Sequence, residues 1–328
     1  EICACLVGSE MCIGARRRAA AARLKADCGV DYDYTQIVIA SGAKHNVYIA
    51  LATLINPGDE IIVPAPYWVS YCEMVSMLGG TPVPVLAEEK QHFKITAAQL
   101  EAAITDKTKA VMLNNPCNPT GMFYTKSELE ALAEVCVKHD LYVIADEIYY
   151  QLLYDGLKFT SFASLGDEVK ERTILINGVS KSYAMTGWRI GFACGNPEAI
   201  EALGTVKNNL DSGQFTAIQD AAIVALTGPQ DCVEEMCALY QKRRDLVVDA
   251  LRAIGVECEA PKATIYVWAK VPEGKTSESF ATKLLEEAHV VVTPGNGYGP
   301  EGEGYIRISL TTPDDRLLEA VDRIKQLV

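Results

Sequence analysis

The chain has 328 residues, 49% of them hydrophobic, which is enough to bury a sizeable core and to divide into two domains, since single cores stop growing near about 250–300 residues. Its 30 basic and 43 acidic side chains leave a net charge of −13, with no basic tract longer than Arg16-Arg17-Arg18, which argues against nucleic acid or an anionic membrane as partner and for small molecules. No apolar run approaches the ~20 residues of a membrane span, and the opening stretch EICACLVGSEMCIGARRR carries its charges after its apolar part, the reverse of a signal peptide, so the expected location is the cytoplasm.

Short apolar runs alternate with amphipathic segments, the pattern of βαβ units around a mostly parallel sheet. In chain order QIVIAS, EIIVPA, TPVPVL, AVMLNN, YVIADE, TILING and RIGFACG read as strands. Between them HNVYIALATLI, TAAQLEAAI and LEALAEVCVKH read as helices, the last opened by Thr125-Lys126-Ser127-Glu128, an N-cap with an acidic first turn. From about Asp220 the texture changes to long helical stretches such as EEMCALYQKRRDLVVDALRAIG, followed by IYVWAKV, VVVTPG and YIRISL. With TGPQD as the break, this predicts a large domain over 1–226 and a smaller α+β domain over 227–328. The 11 cysteines are scattered; the close pairs Cys3 with Cys5 and Cys232 with Cys237 lack the spacing of a zinc or redox site, so buried free thiols and no metal are expected.

Open α/β sheets bind ligands beyond the carboxyl ends of their strands, and those ends carry unusual residues here. Ser41-Gly42-Ala43-Lys44 follows QIVIA and starts a helix, so its backbone N–H groups suit a phosphate; a plain glycine turn is the alternative. The loop NNPCNPTG, Asn114 to Gly121, is stiffened by two prolines and holds the Asn118 amide in one orientation, unless Asn118 only forms the turn. Asp146 ends YVIAD with Tyr149 three residues on; a carboxylate among apolar neighbours needs a cation or protonated ring nitrogen, or else it caps a helix. In SKSYAMTGWRIG, Lys181 follows Ser180 as a semi-buried amine able to form a Schiff base, and Arg189 offers a permanently charged fork for a phosphate. Each of these has a surface-salt-bridge alternative. Their recurrence at successive strand ends suits one ligand, a phosphorylated pyridine aldehyde.

The motifs PAPYWVSYCEMV, NPCNPTG, ADEIYY, SKSYAMTGWRIG and YIRIS resemble those of the class I aminotransferases of fold type I, which depend on pyridoxal 5′-phosphate (PLP). The resemblance runs from about GARRR to the C-terminus, and PYWVSY with MTGWRIG is similar in particular to the bacterial aspartate aminotransferase subgroup, which includes enzymes acting on prephenate. It implies a large domain built on a mostly parallel seven-stranded sheet, with a smaller α+β C-terminal domain, in a homodimer. It further implies that Lys181 bonds the cofactor, Asp146 pairs with its ring nitrogen, Tyr149 and Asn118 contact its phenolic oxygen, and Trp68 stacks on its ring. The phosphate falls to Gly42, Ala43, Lys44, Ser180 and Arg189; the substrate α-carboxylate falls to Arg307 with Asn118. Lys44 matches a lysine associated with the distal carboxylate of dicarboxylic substrates. Trp68 is otherwise a core aromatic, Arg307 an ordinary strand charge and Lys44 a solvated helix-start lysine. The stretch EICACLVGSEMCI matches nothing in the N-terminal arm of the family, so the arm is expected to be missing.

The resulting expectation is an aspartate- or glutamate-using transaminase acting with a 2-oxo acid. The alternatives are a prephenate or aromatic aminotransferase, another PLP reaction such as a β-lyase, and a catalytically silent aminotransferase-like sensor.

Overall fold

The computed structural model describes residues 10–327, with side chains from residue 14 onward. Helix α1 (Glu10–Cys28) lies against strand β1 (Ile37–Ala40), which leads into α2 (Ala43–Leu54) and β2 (Glu60–Ala65). Then follow α3 (Ser70–Met77), β3 (Thr81–Leu86), α4 (Ala97–Ala103), β4 (Thr108–Asn114), α5 (Lys126–Lys138), β5 (Tyr142–Asp146), α6 (Asp167–Arg172), β6 (Thr173–Gly178) and β7 (Gly191–Cys194). These strands form one seven-stranded sheet in the order β1-β7-β6-β5-β4-β2-β3. Only β7 runs against its neighbours; β3, β2, β4, β5 and β6 are parallel to one another. All seven strand readings thus find their place in the expected mostly parallel sheet.

Packing explains why these strands read as unbroken apolar runs. Strands β1, β6 and β7 are buried along their whole lengths, because helices cover both faces of a parallel sheet. The edge strand β3 is half-exposed and carries Pro82 and Pro84, residues that withhold hydrogen-bond donors from any further strand. Helix α5 starts as expected: Thr125 Oγ1 accepts from the Glu128 N–H and Glu128 Oε2 accepts from the Thr125 N–H at 2.7 Å.

Helices α7 (Pro197–Asn208) and α8 (Thr216–Thr227) pack back onto the sheet side, and the chain then enters α9 (Asp231–Ala253). With β8 (Tyr266–Lys270), α10 (Ser277–Ala288), β9 (Thr293–Pro294), β10 (Tyr305–Ser309) and α11 (Asp314–Ile324), α9 builds a second layer on a three-stranded antiparallel sheet ordered β8-β10-β9. Its core includes Val247, Leu251, Phe280 and Leu284, and also Ile148, Leu152 and Tyr154 from the segment after β5.

The cysteine reading needs correction. Cys136 and Cys194 are buried, but Cys28, Cys72, Cys117, Cys237 and Cys258 are half-buried and Cys232 is exposed, because most of them sit on helix flanks and loops at the layer boundaries. The pair Cys3 and Cys5 lies outside the described residues. Among the described residues no helix is long and apolar enough to cross a membrane.

The two layers are stitched at Gly121. Its carbonyl accepts from the Lys262 and Ala263 N–H groups, both at 2.9 Å, and its φ is +72°. A Cβ there would sit 2.3 Å from Pro261 Cβ. We predict that Gly121→Ala lowers unfolding free energy by about 2–4 kcal/mol through strain and overpacking together. Gly58→Ala, also at positive φ (+93°) but with open space around it, serves as the strain-only control. Urea melts that rank the two variants equally would show that the close approach to Pro261 carries no cost.

Candidate active site

The carboxyl ends of the parallel strands converge on a cavity of about 300 Å³. Strand β5 delivers Asp146, 4% exposed, whose Oδ2 accepts from the Tyr71 hydroxyl at 2.7 Å and whose Oδ1 accepts from the Ile148 N–H at 3.2 Å. The second contact closes a turn two residues on, and no helix begins there, so the helix cap that was the alternative to a ligand role does not form; Asp146 lines the cavity. Burial pushes the Asp146 carboxyl above its ordinary range, while the Tyr71 and Ile148 donors and the Lys181 charge pull it back.

Strand β4 pairs in register with β5, placing Asn114 beside Asp146. The Asn114 amide donates to the Asp146 carbonyl at 2.9 Å and its Oδ1 accepts from the Asn118 N–H at 2.8 Å, so one side chain fixes two strand ends. Asn118 Oδ1 in turn accepts from Arg307 Nη1 at 2.9 Å. The Arg307 guanidinium lies 4.0 Å from the Tyr266 ring centroid and 4.9 Å from that of Tyr298, a stacked setting that limits its rotation. Tyr149 is buried, with its hydroxyl 3.4 Å from that of Tyr266; burial raises the Tyr149 proton affinity far above the ordinary phenol, as do the neighbouring Tyr266 and Asp146. Lys181, half-buried, holds its Nζ 5.5 Å from the Tyr149 ring centroid.

An anion cup forms where β1 ends. Helix α2 begins after Gly42 with no side-chain cap, which leaves its first N–H groups and the positive end of its dipole for a ligand. Arg189, at φ +55°, folds across this turn, donating from Nη1 to the Thr186 carbonyl at 2.9 Å and from Nη2 to the Ser41 carbonyl at 3.3 Å. Gly42 has φ +90°, and a Cβ on it would fall 2.4 Å from Arg189 Nη2, so glycine is required on both counts. Exposed Lys44 adds a charge, its Nζ 4.8 Å from the Trp68 ring centroid.

Ala43, Lys44, Trp68, Asn118, Asp146 and Tyr149 all line the cavity, as do Ser180, Lys181, Arg189 and Arg307. Gly42 does not; it lies behind Arg189. Sequence reasoning overlooked Tyr71, Asn114, Ile148, Thr186 and Tyr266, which complete the lining. Asn114 stands at a strand end and satisfies the same rule that picked out Asp146. Tyr71 follows Trp68 at a helical spacing of three, whereas nothing local marks Tyr266.

A buried carboxylate, an amine and an uncapped helix N-terminus thus share one cavity on an α/β sheet. The family model described as aminotransferase class I and II matches residues 13–324. The chain is 44% identical over 321 residues to the aspartate aminotransferase of Bacillus sp. (strain YM-2), covering 96% of this chain and 81% of that one. Over 322 residues it is 43% identical to the aspartate/prephenate aminotransferase of Cereibacter sphaeroides, covering 94% and 80%. Among solved structures it superposes on the aromatic aminotransferase of Pyrococcus horikoshii OT3 with a TM-score of 0.92 at 38% identity, covering 95% of this chain and 84% of that one. The chain belongs to the class I and II aminotransferases, and its architecture is fold type I.

Next to Asp146, Glu147 is 1% exposed and accepts from the Phe162 N–H at 2.8 Å and the Ser161 hydroxyl at 3.1 Å through one oxygen only. Burial pushes its carboxyl from the ordinary 4.5 up to about 8, against those two donors. Between these values the folded chain holds a proton that the unfolded chain has lost. Stability from this group is therefore complete below the unfolded value and declines as pH rises toward 8, by about 1.4 kcal/mol per pH unit. We predict that Glu147→Gln flattens this decline. Urea melts at pH 5.5 and 8.5 check it: parallel losses in parent and variant would refute the assignment.

Proposed function

We propose that the protein is a PLP-dependent aminotransferase moving an amino group between aspartate or glutamate and a 2-oxo acid. The observation that carries this reading is the buried Asp146 carboxylate, which has no salt-bridge partner among the described residues, sharing a cavity with a lysine amine and an anion cup. A protonated ring nitrogen satisfies the first, a carbonyl carbon the second and a phosphate the third. The donor set therefore fits PLP.

In this reading the α2 N-terminus, Ser180 and Arg189 hold the phosphate, and Trp68 covers the ring face. When bound, the cofactor supplies an electron-withdrawing ring that stabilises negative charge at the substrate Cα. Asp146 keeps a proton on the ring nitrogen, because an ionised carboxylate buried at this depth is stable only beside a cation. Lys181 would hold the cofactor through its carbonyl carbon, and its amine would move the proton at the substrate Cα as base and then acid. Arg307 takes the α-carboxylate in a two-pronged contact, its plane fixed by Asn118 and the flanking tyrosines. The Asn118 amide nitrogen makes no hydrogen bond within the described residues and, with the Tyr149 hydroxyl, suits the ring's phenolic oxygen.

Exposed apolar side chains near the cup support a homodimer. Trp188 is 45%, Leu210 52% and Phe215 74% exposed, and the segment bearing Phe215 reaches the cup through a 3.5 Å contact from Gln214 to Ser41.

Two outcomes test the reading. Borohydride reduction of PLP-loaded protein and peptide mapping should place the pyridoxyl group on Lys181, and Lys181→Ala should lose transamination by orders of magnitude. A label on another lysine would overturn the assignment. For specificity, Lys44→Ala should depress kcat/KM for aspartate and glutamate by about 2–4 kcal/mol, the scale of truncating one partner of a desolvated charge pair, and affect phenylalanine and alanine much less. Prephenate, with its second carboxylate, should follow the dicarboxylic pattern. Equal losses across all donors would remove Lys44 from substrate selection while leaving aminotransfer intact.

A further inference from the structure

We propose that Tyr71 is a positioning residue: its hydroxyl holds the Asp146 carboxylate ionised and turned toward the ring nitrogen, and its helix ties that carboxylate to the Trp68 indole. The inference rests on the PLP reading given above. It begins with a partner count at Asp146. Oδ2 accepts from Tyr71 at 2.7 Å and Oδ1 from the Ile148 N–H at 3.2 Å, and these are the hydrogen bonds its side chain makes within the described residues. Without the Tyr71 hydroxyl, Oδ2 would keep no protein donor, in a site where burial already disfavours charge.

The direction of this hydrogen bond is fixed. Tyr71 is 1% exposed, and burial, with the adjacent Asp146, drives its proton affinity far above that of an ordinary phenol. Its proton therefore stays on the phenol, and the contact acts on Asp146 only as a donor. A donor at this distance favours the ionised carboxylate over the neutral acid.

Tyr71 makes a second contact with the site. Its ring meets Trp68 edge to face, with centroids 5.3 Å apart at 83°. Tyr71 is the second residue of α3, and Trp68 lies just before that helix, with the Tyr71 N–H donating to the Trp68 carbonyl at 3.0 Å. One rigid turn thus fixes both the residue assigned to cover the ring and the donor to the residue assigned to its nitrogen. Replacing only the hydroxyl separates the two effects, because phenylalanine keeps the edge contact.

The experiment uses Tyr71→Phe and the parent, each loaded with PLP labelled with ¹⁵N in the ring. In the parent the ring nitrogen should resonate as a pyridinium. In the variant its signal should move toward neutral pyridine, and PLP affinity should fall at least tenfold. A cofactor analogue with carbon in place of the ring nitrogen should bind both proteins equally. In the Asp146→Asn background, Tyr71→Phe should change PLP affinity less than twofold, because the charge it supports is gone; circular dichroism confirms folding of each variant. An unchanged ring-nitrogen signal in Tyr71→Phe would overturn the inference. So would equal losses for PLP and the analogue, or an undiminished effect in the Asp146→Asn background. Failure of the parent to bind PLP would instead overturn the cofactor reading itself.

Discussion

A carboxylate taken out of water at the end of a central strand constrains everything around it. Asp146 ends β5, between β4 and β6, and is 4% exposed; a charge there is costly unless the surroundings compensate. The compensation is assembled from separate parts of the chain: a phenol from α3, a backbone N–H from its own turn, and the charge of Lys181 from the loop after β6. Asn114 adds rigidity without adding charge, because it binds the Asp146 main chain and leaves the carboxylate free. The site is thus a set of donors arranged around one buried carboxylate.

The Arg307 side of the cavity depends on contacts between the layers. Arg307 comes from β10 of the three-stranded sheet, yet its guanidinium is held by Asn118 from the β4 loop, and the backbone of that same loop is bonded at Gly121 to Lys262 and Ala263. The bonds at Gly121 therefore help hold Arg307 against Asn118. The Tyr266 and Tyr298 rings lie against the guanidinium and limit its rotation, which suits recognition of a carboxylate by its planar fork.

Much of this was legible in the sequence, for identifiable reasons. Strands buried on both faces appear as uninterrupted apolar runs, so TILING and YVIAD could be read without any contact information. The strand-end rule then selected Asp146, Asn118 and Lys181, each polar just beyond such a run, and drew in Arg189 from the loop that Lys181 shares. Resemblance added Trp68 and Arg307, which the rule does not reach. Tyr71 and Tyr266 stayed hidden since an aromatic in an apolar context looks like core, and only the 2.7 Å contact to Asp146 distinguishes the first of them. Gly42 was placed in the cup, but its part is to leave room for Arg189. Helix α1 was not read as an element because its apolar side chains are mostly small alanines, whose packing on β1 becomes visible only in three dimensions.

The apolar cluster that joins Ile148, Leu152 and Tyr154 to Leu251, Phe280 and Leu284 has a consequence for how the molecule comes apart. The second sheet does not close its own interior: the turn that follows the buried carboxylate forms part of the apolar filling between that sheet and its helices. Loosening that second layer would bare Leu152 and Tyr154 to water and free the turn that carries Tyr149. The turn that leaves β5 is therefore shared between the first layer and the second, and its packing couples the opening of one to the other.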